Sequence, residues 1–226
     1  MSGEILSAIE LETRPNPDAT VIWMHGLGAD GNDFVPIVGE LRLPAAAGIR
    51  FIFPHAPTRP VTINNGYVMR AWYDIVGSDL TNRGDEAGIR DSQQRIEQLI
   101  AREKTRGIKA ARIVLAGFSQ GGVIALQTGL RHPERIAGIM ALSTYLAMPQ
   151  TLTKEANAAN RDVPIFMAHG TGDPMIQLAW AEASKRTLEG GGYKVEWHTY
   201  PMQHSVCMEE VTDIGAWLRK VLALAA

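Results

Sequence analysis

The ten residues Arg112–Gly121, with the sequence RIVLAGFSQG, join an apolar run to a G-x-S-x-G motif. The run Arg112–Phe118 predicts a strand, and a helical pattern starts at Gly122, so the motif lies in a tight strand–turn–helix connection. A side chain two positions before or after Ser119 would collide with neighbouring backbone in such a turn, and glycine occupies both positions. We therefore predict a positive φ at Ser119, which is rare for residues other than glycine.

Strand and helix patterns alternate along the rest of the chain. Further strands are predicted at Thr20–Met24, Ile49–Phe53, Ile136–Leu142, Val163–Ala168 and Val195–Tyr200, and helices at Glu86–Arg106, Gly122–Arg131, Ile176–Leu188 and Glu209–Leu224. Several strands are almost continuously apolar, which is typical of strands covered on both faces. The pattern predicts an α/β fold with a mostly parallel central sheet flanked by helices, and the alternating segment Ile5–Leu11 predicts an antiparallel edge strand.

The length of 226 residues and the 46% of hydrophobic residues favour one globular domain, residues 1–226. With 22 basic and 24 acidic residues the formal net charge is −2, so the chain lacks the excess of positive charge on which nucleic-acid binding depends. The single cysteine, Cys207, cannot form an intrachain disulfide, and we expect it to be a buried structural thiol.

The sequence predicts neither secretion nor membrane insertion. Its first residues, MSGEI, lack the basic start and apolar core of a secretory signal. Two uncharged stretches, Ile113–Leu130 and Ile136–Thr153, are interrupted by polar residues, whereas a membrane-spanning helix needs about 20 predominantly apolar residues. We therefore expect a cytoplasmic protein without stable membrane insertion.

One long segment, Pro54–Asp79, shows no clear periodicity and contains three prolines, an Asn-Asn-Gly sequence and the aromatic pair Trp72-Tyr73. An irregular segment of this length is usually functional or disordered, and its aromatic residues argue against disorder. We predict an ordered loop over a functional site. The alternative is a surface excursion packed by its own aromatic side chains.

A serine hydroxyl becomes an effective nucleophile when a base takes its proton and an acid orients that base. Sites in α/β sheets form beyond the carboxyl ends of the strands, and Asp173 follows the strand Val163–Ala168 at that end. Asp162 precedes the same strand, and Asp213 falls within a helical pattern. Asp173 is therefore the predicted acid.

Six histidines compete for the role of base. His204 lies between the last strand and the last helix, and it follows Asp173 in the order serine, acid, histidine that α/β-hydrolases use. A loop at this place can bring the imidazole over Ser119, so we predict His204 as the base, with a purely structural loop histidine as the alternative. The other five are less suited by position: His25 and His169 precede Asp173, His132 follows a helix, His55 starts the irregular segment, and His198 alternates within a strand.

A tetrahedral intermediate of acyl transfer needs backbone N–H donors for its oxyanion. Gln120, directly after the serine, offers one amide at a helix start. We expect the second from Leu27, because the glycines on both sides of it let its amide turn inward. A simple glycine-rich turn without a ligand is the alternative reading of that loop.

Two other kinds of chemistry are not predicted. Residues 26–31, GLGADG, match the dinucleotide pattern G-x-G-x-x-G, but the next strand ends in Pro54-His55 instead of the acidic residue that would hold a ribose. The chain has no His-Glu-x-x-His sequence, no paired cysteines and no P-loop, so we expect neither a metal nor another cofactor.

Several motifs now stand in one order along the chain: WMHGLGAD (23–30), PHAP (54–57), WYD (72–74), AGFSQGG (116–122), LS (142–143), HGTGDP (169–174) and HSVC (204–207). Over nearly its whole length the chain resembles the acyl-protein thioesterase / lysophospholipase family and its bacterial carboxylesterases. The resemblance implies an α/β-hydrolase fold without a large cap domain, a triad of Ser119, Asp173 and His204, and an oxyanion hole from the amides of Leu27 and Gln120. One departure is Gln203, where many relatives have Gly or Met.

The same resemblance implies hydrolysis of carboxylic esters, lysophospholipids or acyl thioesters, and a possible homodimer. Residues expected to line the acyl pocket are Met69, Trp72, Leu146, Met175 and Ile176. Our main expectation is a serine carboxylesterase that cleaves short-to-medium-chain esters through an acyl-enzyme, with a small-molecule ester or acyl-chain substrate. The alternative is an acyl-protein thioesterase or lysophospholipase.

Overall fold

The computed structural model describes residues 5–77 and 85–224. Two predictions extend beyond these ranges. The segment Pro54–Asp79 does so by its last two residues, and the absence of a secretory signal was predicted partly from the first four residues of the chain. In those ranges, no helix combines the length and the apolar character that crossing a membrane requires.

From residue 86 onward α-helices and strands alternate along the described chain, and five strands come before that point. The strands are β1 (Ala8–Glu12), β2 (Ala19–Met24), β3 (Ile49–Pro54), β4 (Thr58–Val61), β5 (Tyr67–Arg70), β6 (Ile113–Phe118), β7 (Gly138–Leu142), β8 (Ile165–Gly170) and β9 (Val195–Tyr200). The α-helices are α1 (Glu86–Thr105), α2 (Gln120–Gly129), α3 (Pro149–Glu155), α4 (Leu178–Gly190) and α5 (Met208–Val221).

Seven of the strands form the central sheet, in the order β1-β3-β2-β6-β7-β8-β9. Only β1 is antiparallel to its neighbour β3, and the other neighbouring strands are parallel. The predicted mostly parallel sheet and the predicted antiparallel edge strand are both confirmed, although the edge strand starts at Ala8 and not at Ile5. Because the strands are parallel, their carboxyl ends meet at one edge of the sheet.

Each central strand sends its side chains alternately into two hydrophobic cores, one on each face of the sheet. Ile22 and Met24 of β2 belong to the core that α1 and α2 cover, whereas Val21 and Trp23 belong to the core that α5 covers. All four side chains are almost completely buried. Burying such a side chain stabilises the fold by about 1.5–3 kcal/mol, which explains why apolar residues predominate on both faces of these strands.

Helix α1 begins at the predicted residue and ends one residue before the predicted end. The Asp85 carboxylate caps it by accepting a hydrogen bond of 2.9 Å from the Gly88 amide, and Gly107, just past its end, has a φ of 92°. The buried Glu103 near its C-terminus accepts hydrogen bonds from the Thr20 hydroxyl at 2.7 Å and from Arg50 Nη1 at 2.6 Å. These bonds compensate for burying the carboxylate and tie α1 to the sheet.

Two predicted helix starts were wrong by two residues each, and α5 begins one residue early, at Met208 instead of Glu209. Helix α2 begins at Gln120 instead of Gly122, because the turn at Ser119 leads directly into it. Helix α4 begins at Leu178 instead of Ile176. The backbone of Ile176 is engaged elsewhere: its amide donates to Asp173 Oδ1 at 2.9 Å, and its carbonyl oxygen lies 2.8 Å from His169 Nε2.

The prediction that the segment Pro54–Asp79 is irregular was wrong for residues 58–70, where β4 and β5 form an antiparallel hairpin. Asn65 and Gly66 lie in its turn with φ values of 53° and 75°, a conformation that Asn-Gly sequences favour, so this dipeptide was the overlooked signal. The Gly28 amide donates to the Arg70 carbonyl oxygen at 2.9 Å, which places the hairpin beside the loop that follows β2. The described ranges contain this small hairpin and no large cap domain.

Candidate active site

Ser119 lies in the turn between β6 and α2 with a φ of 54° and a ψ of −119°, which confirms the predicted positive φ. A Cβ atom at Gly117 would lie 2.1 Å from the carbonyl carbon of Gly121, and one at Gly121 would lie 2.2 Å from the carbonyl oxygen of Met24. Glycine is therefore required at both positions. The Ser119 amide donates to the Leu142 carbonyl oxygen at 2.9 Å and anchors the turn to β7.

The side chains of Ser119, His204 and Asp173 form one hydrogen-bonded chain. His204 Nε2 lies 3.0 Å from Ser119 Oγ, and His204 Nδ1 lies 2.7 Å from Asp173 Oδ2. The imidazole is partly accessible, with 18% of its side-chain surface exposed, whereas the carboxylate is fully buried. Three residues from separate parts of the sequence thus meet at the carboxyl edge of the sheet.

The loops that carry Asp173 and His204 are held against each other by their backbones. The amide of Thr171 donates to the Tyr200 carbonyl oxygen at 2.8 Å, and the amide of Gly172 donates to the Met202 carbonyl oxygen at 3.0 Å. A Cβ atom at Gly170 would lie 2.5 Å from the Met202 carbonyl oxygen, so only glycine permits this approach. The two side chains are therefore positioned by a rigid pair of loops.

Asp173 is surrounded by hydrogen-bond donors. Its Oδ1 atom accepts from the amides of Met175 at 2.8 Å and Ile176 at 2.9 Å. The fully buried His169 lies on its other side, with Nε2 3.4 Å from Asp173 Oδ2. Burial lowers the pKa of His169, although the Ile176 carbonyl oxygen and Asp173 oppose the shift. The lowered pKa favours the neutral imidazole beside the carboxylate.

The competing acids have other partners. Asp162 forms an ion pair with Arg135, and Asp213 accepts a hydrogen bond from the Tyr200 hydroxyl at 2.7 Å. Among the hydrogen bonds of the described residues, neither carboxylate reaches a histidine that contacts Ser119.

The competing histidines also have other partners. In the described ranges, only His204 forms a hydrogen bond with the Ser119 side chain. The nearest partners of the others are Gly26 O for His25, the Gly31 amide for His55, Glu97 for His132, Ile176 O for His169 and Glu196 Oε1 for His198.

The loop after β2 lies directly against the serine. A Cβ atom at Gly26 would be 3.5 Å from Ser119 Cβ, and Leu27 and Gln120 both border the cavity in front of the hydroxyl. The buried side chain of Gln120 has a role that the sequence did not reveal. Its Oε1 accepts from the Trp72 amide at 3.0 Å, and its Nε2 donates to the Tyr73 carbonyl oxygen at 2.9 Å.

A cavity of about 200 Å³ opens in front of Ser119. Of the predicted pocket residues, Met175 and Ile176 line it, with Met175 largely exposed and Ile176 buried. Met69, Trp72 and Leu146 are not among its lining residues, so the structure places these three elsewhere.

Each of the three has a different environment. Trp72 is completely buried, and its Nε1 donates to the His25 carbonyl oxygen at 2.9 Å, so it supports the loop beneath the cavity. Met69 belongs to the hairpin, where its sulfur lies beside Gly28 of the loop after β2 and 3.5 Å from the side-chain amide of Asn64. Leu146 borders a second groove, next to Trp180 and α4.

Seven of the lining residues were not predicted from the sequence: Gly26, Ala29, Asp33, Tyr73, Ile75, Phe118 and Tyr145. The hydroxyl groups of Tyr73 and Tyr145 are 3.1 Å apart and join the segment after the hairpin to the loop after β7. Tyr145 follows the end of a parallel strand by three residues. The strand-end rule that selected Asp173 would therefore also have selected Tyr145.

The glycine-rich residues 26–31 lead into a short 3-10 helix, Val35–Leu41, and not into the α-helix of a dinucleotide motif. Cys207 is half-buried, and burial raises the pKa of its thiol. The described residues contain no group of three or more His, Cys, Asp or Glu side chains that could hold a metal ion.

Known proteins with similar sequences and structures place this geometry in a family. The phospholipase/carboxylesterase family model matches residues 7–222. An acyl-protein thioesterase 1 from Neurospora crassa is 41% identical over 217 residues, covering 92% of this chain and 89% of the relative. An acyl-protein thioesterase 1 from Gibberella zeae is 40% identical over 231 residues, covering 98% of both chains.

Solved structures agree with the sequence relatives. SOBER1 of Arabidopsis thaliana superimposes with a TM-score of 0.85 at 28% identity, covering 90% of this chain and 99% of that chain. Acyl-protein thioesterase 2 of Zea mays has a TM-score of 0.81 at 24% identity, with 96% and 100% covered, which shows the same fold. The chain therefore belongs to the phospholipase/carboxylesterase family of α/β-hydrolases, and it is a serine hydrolase of the class that acts on esters and thioesters.

Proposed function

We propose that Ser119, His204 and Asp173 are the catalytic triad of a hydrolase whose preferred substrates are acyl thioesters. The observation that carries the triad is the hydrogen-bonded chain from Ser119 Oγ through His204 to Asp173 beneath an open cavity. The named relatives, acyl-protein thioesterases that cover nearly the whole chain, support the thioester class.

In the proposed reaction His204 Nε2 takes the Ser119 proton as the hydroxyl attacks the acyl carbonyl carbon. The carboxylate of Asp173 keeps the proton of His204 on Nδ1 and stabilises the imidazolium that forms. The amides of Leu27 and Gln120 stabilise the oxyanion, because both residues border the cavity beside the hydroxyl. His204 then passes its proton to the leaving thiolate or alkoxide, and water hydrolyses the acyl-enzyme by the same steps.

The expectation of a carboxylesterase for short-to-medium-chain esters has less support than its alternative. The two fungal relatives are named acyl-protein thioesterases. A thiolate also leaves more readily than an alkoxide, because the pKa of its conjugate acid is near 8.5. Tyr73, Ile75, Tyr145 and Ile176 give the cavity an apolar side on which an acyl chain can pack. We therefore assign the substrate class as S-acyl cysteine in a peptide or protein.

Two matched peptides test this assignment. One carries an S-octanoyl cysteine, and the other carries an O-octanoyl serine at the same position. We expect a higher kcat/KM for the thioester, and we expect Ser119→Ala to lower kcat for both by about 10⁶. A higher kcat/KM for the oxygen ester across chain lengths would return the assignment to a carboxylesterase. Hydrolysis that survives the Ser119→Ala change would overturn the triad itself.

A further inference from the structure

Two hydrogen bonds determine which nitrogen of His25 carries the proton. The Ala56 amide lies 3.1 Å from His25 Nε2, and because a backbone N–H can only donate, Nε2 is the unprotonated acceptor. His25 Nδ1 lies 2.7 Å from the Gly26 carbonyl oxygen, which can only accept, so Nδ1 carries the proton. His25 is therefore a neutral imidazole with its N–H directed at the Gly26 carbonyl.

The surroundings of His25 keep it neutral and fixed. Only 1% of the residue is exposed, and burial lowers its pKa to about 4. Its ring packs 5.4 Å from the Trp72 ring, and the Trp72 indole N–H donates to the His25 carbonyl oxygen at 2.9 Å. The imidazole thus keeps one tautomer and one orientation at neutral pH.

The carbonyl that His25 binds belongs to the same peptide unit as the Leu27 amide. Because a peptide unit is planar, fixing the direction of its carbonyl oxygen also fixes the direction of its N–H on the opposite side. The other side of Leu27 is also held, since Gly28 has a φ of 78° and donates to the Arg70 carbonyl oxygen at 2.9 Å.

We infer that His25 is a positioning residue that aims the Leu27 amide at the oxyanion through its hydrogen bond to the Gly26 carbonyl. This inference rests on the proposed role of Leu27 in the reaction. The hydrogen bond from His25 Nδ1 also polarises the Gly26–Leu27 peptide and makes the Leu27 N–H a better donor. The Ala56 amide strengthens this effect, because its hydrogen bond to Nε2 makes the Nδ1–H of the same ring a better donor. His25 itself does not touch the reacting atoms.

Two polar variants separate the two hydrogen bonds of His25. In His25→Asn the side-chain NH₂ takes the place of Nδ1 and can still donate to Gly26, but nothing reaches the Ala56 amide. In His25→Gln the side-chain carbonyl takes the place of Nε2 and can still accept from Ala56, but the donor to Gly26 is lost. We expect His25→Gln to lower kcat about 10- to 100-fold with KM nearly unchanged. This loss is smaller than the roughly 10²- to 10³-fold loss of kcat that follows deletion of an oxyanion donor. We expect the kcat of His25→Asn to stay within about threefold of the parental value.

A trifluoromethyl ketone that forms a tetrahedral adduct with Ser119 supplies a second readout. Its affinity should fall in His25→Gln by the same factor as kcat/KM, while the affinity for the bound product acid should not change. The active enzyme is counted by stoichiometric labelling of Ser119, so partial unfolding does not enter kcat. His132→Gln, which changes a buried histidine bonded to Glu97, is the control and should keep the parental kcat.

Equal losses in the Asn and Gln variants, or an unchanged analogue affinity in His25→Gln, would overturn the positioning role. Failure of the proposed function looks different, because the parent protein would then show no hydrolysis that depends on Ser119.

Discussion

One oxygen of the Asp173 carboxylate forms a hydrogen bond with His204, and the other accepts hydrogen bonds from backbone amides of its own loop. Oδ2 lies 2.7 Å from His204 Nδ1, whereas Oδ1 accepts from the backbone amides of Met175 and Ile176. The amides fix the rotation of the carboxyl group, because they can only donate and so hold an oxygen at the Oδ1 position. The oxygen that faces the imidazole is therefore determined by the loop and not by the imidazole.

The first prediction follows from that division. In Asp173→Asn the amide oxygen will occupy the Oδ1 position, and the NH₂ group will face His204 Nδ1. His204 must then carry its proton on Nε2, where it cannot accept the proton of Ser119. We expect kcat to fall about 10⁴-fold with an unchanged fold, measured by steady-state kinetics and circular dichroism. A loss of less than tenfold would contradict the orienting role of Asp173.

The second prediction concerns the turn around Ser119. A Cβ atom at Gly121 would lie 2.2 Å from the Met24 carbonyl oxygen, so Gly121→Ala must move the end of β2 or the start of α2. We expect a loss of about 1–3 kcal/mol in the free energy of unfolding and a lower kcat. Gly190→Ala is the control, because a Cβ atom there meets nothing within 4 Å, and it should leave both quantities unchanged or raise stability slightly. Equal stabilities of the two variants would refute the steric explanation.

The third prediction concerns the pH dependence of stability. Burial raises the pKa of Glu210 in α5 to about 8 from its ordinary value of 4.5, with the backbone N–H of Cys207 acting in the opposite direction. The folded protein therefore keeps this proton at pH values where the unfolded chain releases it. Its contribution to stability is complete below pH 4.5 and is lost as the pH rises to about 8.

Chemical denaturation at several pH values between 5 and 9 measures this effect. We expect Glu210→Gln to remove part of the decline in stability, with a difference of a few kcal/mol between its pH profile and that of the parent, since each pKa unit corresponds to about 1.4 kcal/mol. Glu209→Gln, at an exposed neighbouring position, is the control and should keep the parental slope. Parallel profiles for the parent and Glu210→Gln would show that the carboxyl group titrates normally.

The fourth prediction concerns the charge at the cavity. The described lining residues include the carboxylate of Asp33 and neither lysine nor arginine. Substrates with an anionic leaving group should therefore react more slowly than isosteric neutral ones. Asp33→Asn should raise kcat/KM for the anionic substrate by about two- to fivefold and leave the neutral one unchanged, since an exposed charge interaction is worth at most about 1 kcal/mol.

Asp162→Asn makes the same charge change far from the cavity and serves as the control for that experiment. The effect of Asp33 should also shrink as ionic strength rises, because salt screens exposed charges. An equal gain with both variants would mean that net charge, and not the charge at the cavity, controls the reaction.

The local pattern around Ser119 was sufficient to predict its backbone conformation, because a strand entering a helix through one residue between two glycines has few solutions. The ends of parallel strands then pointed to Asp173, and the loop before the last helix pointed to His204. These predictions depended on short-range patterns and on one topological rule, that the carboxyl ends of parallel strands share an edge. The same reasoning did not find Tyr145, although it follows β7 at that edge.

The residues of the cavity wall could not be found by this route. Trp72 was predicted to line the pocket from the family resemblance and from its position near a strand end, but its indole N–H binds the His25 carbonyl beneath the cavity. Whether an apolar side chain lines a cavity or supports it depends on contacts with segments far away in the chain.

The amino-acid order by itself determined the strands of the central sheet and the strained serine, since apolar periodicity and glycine spacing act over a few residues. What only the tertiary structure decided is how the side chains divide their partners. The tautomer of His25 follows from Ala56, 31 residues away in the chain, and the hydrogen bond between His204 and Ser119 spans 85 residues. Such pairings follow from the packing of the two loops and the hairpin around the edge of the sheet, which no local pattern specifies.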